Sequence, residues 1–219
     1  MRERRVLGLI TGGISMKAKK LLAPTCLSAL IYVSGCGGGG TDVLAGRNAL
    51  QTGRPKDAVG YLTRAAEIDP SYKTPFRIPQ GVLGFLGRAY YETGNDAEAR
   101  KTLERAVSLD KDDPLARVYL GLTLLRSGER ARGRQEVEGG LKAIDDTLEY
   151  INMDRVTGFY WDPGGQIRSA TKKTLAANLD DAQLAVAAER IAIEFDEEID
   201  KARRDEGRSR GGSDSGGAN

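Results

Sequence analysis

Three stretches of this chain, residues 43–70, 82–110 and 116–145, share one pattern: two runs with apolar residues at helical spacing, divided by a glycine. The dividing glycines are Gly53, Gly94 and Gly128. Apolar residues every three to four positions put one greasy face on a helix, and a glycine between two such faces ends the first helix and turns the chain. Each stretch is therefore predicted to be an antiparallel helical hairpin. From about residue 146 the pattern fades. Asp162-Pro163 reads as an N-cap followed by a first-turn proline, opening a helix to about Ala177, with Gly164 and Gly165 weakening its start. Asp180 or Asp181 is predicted to cap a last long helix over 182–206, whose stripe runs Leu184, Ala188, Ile191, Phe195, Ile199, Ala202. Glu197–Lys201 and Asp200–Arg204 are predicted to pair along its outer face. The Gly- and Ser-rich tail, 207–219, is predicted to be disordered.

The last two turn glycines are 34 residues apart and the first two 41, which implies a seven-residue insertion around 71–79. The second unit has Leu86-Gly87 and Tyr90 in its first helix, then Ala99, Leu103 and Ala106 in its second. Unit one has Gly46, Ala58, Leu62, Ala65 and Asp69-Pro70 in register. Small residues let two helices approach, and large ones fill the gap. With the 34-residue period, these positions resemble the tetratricopeptide repeat. Unit three keeps Leu120-Gly121 but has Gly133 and Gly140 in place of alanines, so it is expected to be a distorted hairpin. The fold class expected is all-α: a tetratricopeptide-like helical-hairpin solenoid of about three repeats, covered by C-terminal capping helices. The resemblance implies a concave groove lined by Arg47 and Leu50, Arg88 and Tyr91, and Leu122, Leu125 and Arg126. Two arginines in equivalent places beside apolar or aromatic neighbours suit an extended peptide bearing a carboxylate.

The front of the chain reads differently. Met16 precedes Lys17, Lys19 and Lys20, then 13 mostly apolar residues (21–33) lead to Ser34-Gly35-Cys36. That order is a secretory signal, and the apolar run falls short of the roughly 20 residues a membrane-spanning helix needs. Val33-Ser34-Gly35-Cys36 resembles the bacterial lipobox, which implies a diacylglycerol on the Cys36 sulfur, usually with an N-acyl chain such as palmitate. Gly37 stands where an aspartate retains many such proteins at the inner membrane, so the periplasmic face of the outer membrane is expected. Residues 1–15 do not fit a signal, and Met16 is read as the start. The expected organisation is signal 1–35, lipidated cysteine and glycine tether 36–41, repeats 42–145, aromatic connector and C-terminal helices 146–206, and tail.

Composition narrows the chemistry. The net charge is +2, but removing the six Lys/Arg and one Glu of residues 1–35 leaves 27 basic against 30 acidic side chains. Nucleic-acid binding thus loses its compositional support. There is no histidine, and the two cysteines are Cys26 and Cys36, so neither a histidine base nor a disulfide is expected in the processed chain. The four glycines 37–40 lack a following Gly-Lys-Ser/Thr, and "DKDDP" (110–114) lacks the length and distal glutamate of a calcium loop. "DEEID" (196–200) reads as a solvated face. No enzyme, cofactor or metal site is expected. Phe159, Tyr160 and Trp161 are read either as a plug under the C-terminal helices or as a docking cluster. Two functions follow: a lipid-anchored scaffold, pilotin-like or an assembly factor, binding an envelope protein or peptide; or an accessory subunit of an envelope polysaccharide or cell-wall enzyme complex.

Overall fold

Three left-handed glycines close three hairpins. Gly53, Gly94 and Gly128 have φ of 68°, 75° and 85°, and nothing lies within 4 Å of a Cβ placed on any of them. Backbone conformation alone therefore calls for glycine there, since an L-residue would pay roughly 1–2 kcal/mol. The computed structural model describes the backbone of residues 39–213 and the side chains of 39–205. Residues 1–38, on which the signal, lipidation and start-site expectations fall, and the last six residues lie outside the described residues. The described chain is all-α. Helices α1 (Gly39–Gln51) and α2 (Pro55–Ile68), α3 (Val82–Glu92) and α4 (Asp96–Leu109), and α5 (Pro114–Arg126) and α6 (Arg130–Asn152) form the hairpins. A 3-10 turn (Gly158–Tyr160), α7 (Gln166–Ala176) and α8 (Asp181–Ser213) follow. This is the helical-hairpin solenoid with C-terminal helices that the repeat pattern predicts.

The first two hairpins pack a glycine against a leucine. A Cβ on Gly46 would lie 2.5 Å from Leu62 Cγ, and one on Gly87 would lie 2.4 Å from Leu103 Cγ. In the third hairpin the backbones themselves meet. A Cβ on Gly121 would lie 2.5 Å from the Val137 nitrogen, on Gly133 2.8 Å from the Leu125 nitrogen, and on Gly140 2.8 Å from the Val118 nitrogen. The expected distortion of unit three is therefore replaced by a closer version of the same hairpin. Its glycines stand where alanines usually do because no space is left for a methyl.

Several boundaries differ from expectation. Helix α1 starts at Gly39, inside the stretch 36–41 read as a lipidated cysteine and glycine tether. Helix α6 continues to Asn152, past the end set for the repeats. The Asp162-Pro163 start of α7 moves to Gln166: Asp162 has φ 44°, Gly164 and Gly165 intervene, and Asp162 reaches forward to accept the Ile167 and Arg168 N–H groups at 3.0 and 3.2 Å. Asp162 still caps the helix, from outside it. Asp180 and Gln183 cap α8 reciprocally, each side chain accepting the other's backbone N–H. All six stripe residues of α8 are buried. Its backbone runs helical to Ser213, into the segment whose composition predicts disorder. The insertion folds on itself: Thr74 N–H donates to Gln80 O, and Gln80 N–H donates to Thr74 Oγ1.

Two glycine substitutions test this packing. Gly133→Ala drives a methyl into the α5 backbone and should cost about 1–3 kcal/mol. Gly60→Ala sits on the exposed face of α2, with only Arg64 near, and should gain about 0.5–1 kcal/mol from helix propensity. Thermal melts of the two variants should move in opposite directions.

Candidate functional site

Of the seven groove residues that the resemblance implies, the chain itself covers all but Arg126 wholly or in part. Helix α8 packs on α5, α6 and α7, and its acidic side chains reach α1 and α3. Arg47, from the middle of α1, is 3% exposed, and Arg88, from α3, is 6% exposed. Asp196 lies between them. Its Oδ1 accepts from Arg47 Nη2 at 2.7 Å and from Gln80 Nε2 at 3.2 Å, and its Oδ2 accepts from Arg88 Nη1 at 2.9 Å. Arg47 Nη2 also donates to the Asp196 carbonyl at 3.0 Å, and Arg47 Nη1 pairs with Asp200. Gln51 Nε2 donates to the other Asp200 oxygen at 2.6 Å. The arginines are held from behind by aromatic rings: Phe76 and Phe85 lie 5.7 and 5.8 Å from the Arg47 guanidinium, and Tyr119 lies 5.3 Å from that of Arg88.

This arrangement corrects the reading of "DEEID" as a solvated face. Asp196, Glu198 and Asp200 are all buried; Glu197 is exposed. The expected outer pairs Glu197–Lys201 and Asp200–Arg204 give way to Glu198–Lys201 and Asp200–Arg203, because Asp200 faces inward to Arg47. Burial pushes the Asp196 carboxyl up, but Arg47 and Arg88 outweigh it and hold it below its ordinary value. The Arg88 guanidinium is shifted further up against the opposing effect of burial.

The other predicted groove residues are also filled in. Leu50, Tyr91 and Leu122 are buried, and Leu125 is half-buried. Tyr91 meets Tyr119 edge-on, with centroids 5.6 Å apart. Arg126 alone of the seven is exposed; it stacks 3.7 Å from the Tyr91 ring and donates to Asp96 at 2.9 Å. The aromatic cluster divides. Trp161 is 1% exposed, so it is a plug and not a docking side chain, whereas Phe159 is exposed and tilts over half-buried Tyr160 at 4.0 Å. Asp162 N–H donates to buried Glu198 at 2.7 Å, which ties the plug to α8.

The sequence pattern gave no warning of the partners Gln80 and Phe76, which come from the insertion loop. Equivalent arginines in two repeats, facing a helix rich in aspartate, were the available signal. Between α8, the end of α1 and the start of α7 an open cleft of about 650 Å³ remains, lined among others by Gln51, Asp162, Gln166, Glu194, Glu197 and Lys201. No group of three or more His, Cys, Asp or Glu among the described residues is arranged to hold a metal ion.

The fold and its filled groove define an α-helical repeat solenoid closed by its own C-terminal helix. The model of the tetratricopeptide repeat matches residues 49–117, which the described structure places from the end of α1 to the start of α5. Over 106 residues, 48% of this chain, the sequence is 27% identical to Tetratricopeptide repeat protein 13 of Homo sapiens. The matched stretch spans only 11% of the human protein's length. Residues 49–117 thus carry tetratricopeptide repeats, a module suited to protein–protein interaction, within an all-α solenoid. The glycine-packed α5–α6 hairpin lies almost wholly outside the matched segment.

Removing the central carboxylate should be costly. Asp196→Ala leaves two buried guanidinium groups facing each other, a change worth about 3–5 kcal/mol, and should lower the melting temperature by roughly 10 °C. The pH dependence has two opposing parts. Asp196 titrates below its ordinary value when folded, so its contribution is present above about pH 4 and is lost as pH falls. Asp113, the α5 N-cap that accepts the Ala116 N–H at 3.0 Å, is pushed by burial from 3.8 to about 6. Its protonated form suits the fold, so stability from this group declines as pH rises from about 4 to 6. Asp113→Asn should flatten that segment of the stability–pH curve and leave the acid limb in place.

Proposed function

We propose that this chain is a lipid-anchored scaffold on the periplasmic face of a bacterial outer membrane, and that it binds another envelope protein without acting on a substrate. The observation that carries the binding reading is the clasped helix. The repeats already grip α8 through Arg47 and Arg88, so the solenoid is complete and presents α8 and its cleft outward. Displacing α8 would expose Leu184, Ile191, Phe195 and Ile199, at roughly 1.5–3 kcal/mol each. That total rivals the roughly 8 kcal/mol of an ordinary micromolar contact. A partner therefore gains more by meeting the outer face of α8 than by replacing it. Glu194 and Glu197 on that face, beside Gln51 and Gln166, suit a basic or amide-rich segment.

The anchoring part rests on the Lys-rich start, the 13 apolar residues and the Val33–Cys36 block. The pilotin-like and assembly-factor roles are both consistent with such a scaffold. The accessory-subunit reading loses Trp161, which is buried, and keeps only exposed Phe159 and half-buried Tyr160 as a contact surface.

Two measurements check the proposal. Intact mass of the natural product, extracted from membranes, should show Cys36 as the first residue carrying a diacylglycerol and an N-acyl chain; an unacylated cytoplasmic product overturns the anchor. Affinity capture with the natural protein should recover an envelope protein, and Glu194→Lys with Glu197→Lys should reduce that recovery about tenfold with unchanged circular dichroism. Undiminished recovery removes the cleft from the proposal.

A further inference from the structure

Among the described residues eleven large apolar side chains are exposed; hairpin topology puts Ile68 and Leu109, at the ends of α2 and α4, at one end of the solenoid, and puts Tyr150, Met153, Val156 and Phe159 on the stretch of α6 and connector that runs past that end. Antiparallel hairpins explain the placement. The starts of α1, α3 and α5 and the ends of α2 and α4 share that end. Helix α6 overshoots it, because Gly140 already packs against Pro114 and Val118 in the first turns of α5. The 12 residues from Leu141 to Asn152 run on by about 18 Å at helical rise. Met153 and Val156, just past them, are 77% and 75% exposed.

The insertion loop joins these points into one surface. Tyr72 lies against Gly40 at the start of α1. Lys73 pairs with Asp110 at the end of α4 at 2.6 Å, and Arg77 pairs with Asp154 beside Met153 at 2.8 Å. Ile68 lies against Gly39. The apolar end is thus the end from which the chain leads back to Cys36.

We propose that this end is a membrane-docking face whose occupant is the lipid surface that holds Cys36; the inference rests on the anchor reading above. Three residues, Cys36 to Gly38, precede α1. They reach at most about 10 Å, so acyl chains on Cys36 hold the start of α1 at the headgroups. No long stand-off is available, since Gly39 and Gly40 belong to the helix. Anchoring at this one end turns docking of the apolar side chains into an intramolecular event, where a weak contact is well populated. Charge does not drive it. Within 68–81, 109–112 and 150–160, Lys73, Arg77, Lys111 and Arg155 balance Asp69, Asp110, Asp112 and Asp154. Docking is accordingly apolar and little affected by salt. The cleft over α8 stays available to a protein partner.

The test uses residues 36–219, which form a compact unit of their own. With residues 1–35 absent, Cys36 is the only thiol, and it can be coupled to a maleimide lipid in phosphatidylethanolamine–phosphatidylglycerol vesicles. Tryptophan reporters are placed by Phe159→Trp at the proposed face and by Arg54→Trp at the opposite end, with buried Trp161 as the common background. Brominated lipids should quench the Phe159→Trp reporter about twofold, as expected for a ring about 5–10 Å into the interface, and should spare the Arg54→Trp reporter. The quenching should persist in high salt. Adding Met153→Asp and Val156→Asp should abolish it while Trp161 emission and helicity are retained. Equal quenching at both ends, or none at Phe159→Trp, overturns the face. So does loss of protein capture, with lipid contact unchanged, in the Asp variant. Because the tether here is chemical, these outcomes are independent of whether the natural product is acylated.

Discussion

A single carboxylate organises the interior of this solenoid. Asp196 sits between Arg47 of the first repeat and Arg88 of the second, and it carries α8 across both. Buried ion pairs contribute little net stability, since desolvating the charges consumes most of the attraction. Their effect is on specificity. Two guanidinium groups backed by Phe76, Phe85 and Tyr119 accept a helix only when a carboxylate arrives at one position. The apolar stripe of α8 supplies the larger share of the binding free energy, and the clasp sets its register.

The hairpins meet a second constraint, the approach of helices at short range. Gly46 and Gly87 each admit a leucine, and Gly121, Gly133 and Gly140 admit backbone. The third hairpin thereby becomes the tightest and frees the end of α6 to extend past its neighbours. That overshoot creates the aromatic connector. It also creates the contrast between Trp161, sealed against α6 and α8, and Phe159, left on the outside. One chemical run, Gly158 to Trp161, is divided by a 3-10 turn into a plug and a surface.

The proposed function draws on these two features together. A repeat groove that is open in principle is closed here by the chain's own helix, so the proposed partner would meet α8 from outside. The same architecture leaves exposed apolar residues toward the end where α1 begins. On the proposed function, the membrane-facing and partner-facing surfaces fall on different elements.

The helical period, the three turn glycines and the stripe from Leu184 to Ala202 were readable without coordinates, because each depends on residues a few positions apart and on backbone preferences that act locally. Arg47 and Arg88 were placed on the inner side of their helices by the resemblance to the tetratricopeptide repeat. Their partners could not be read. Asp196 lies 149 and 108 residues away from them, and aspartates on a charged helix have the same local pattern whether they face water or arginine. The glycines of unit three show the same limit: composition marks them as departures from a repeat, and only the distance between α5 and α6 shows that they are required. Local order was written in the spacing of side chains, whereas burial of charge, the fate of the aromatics and the filling of the groove were decided by which distant surfaces the folded chain brought into contact.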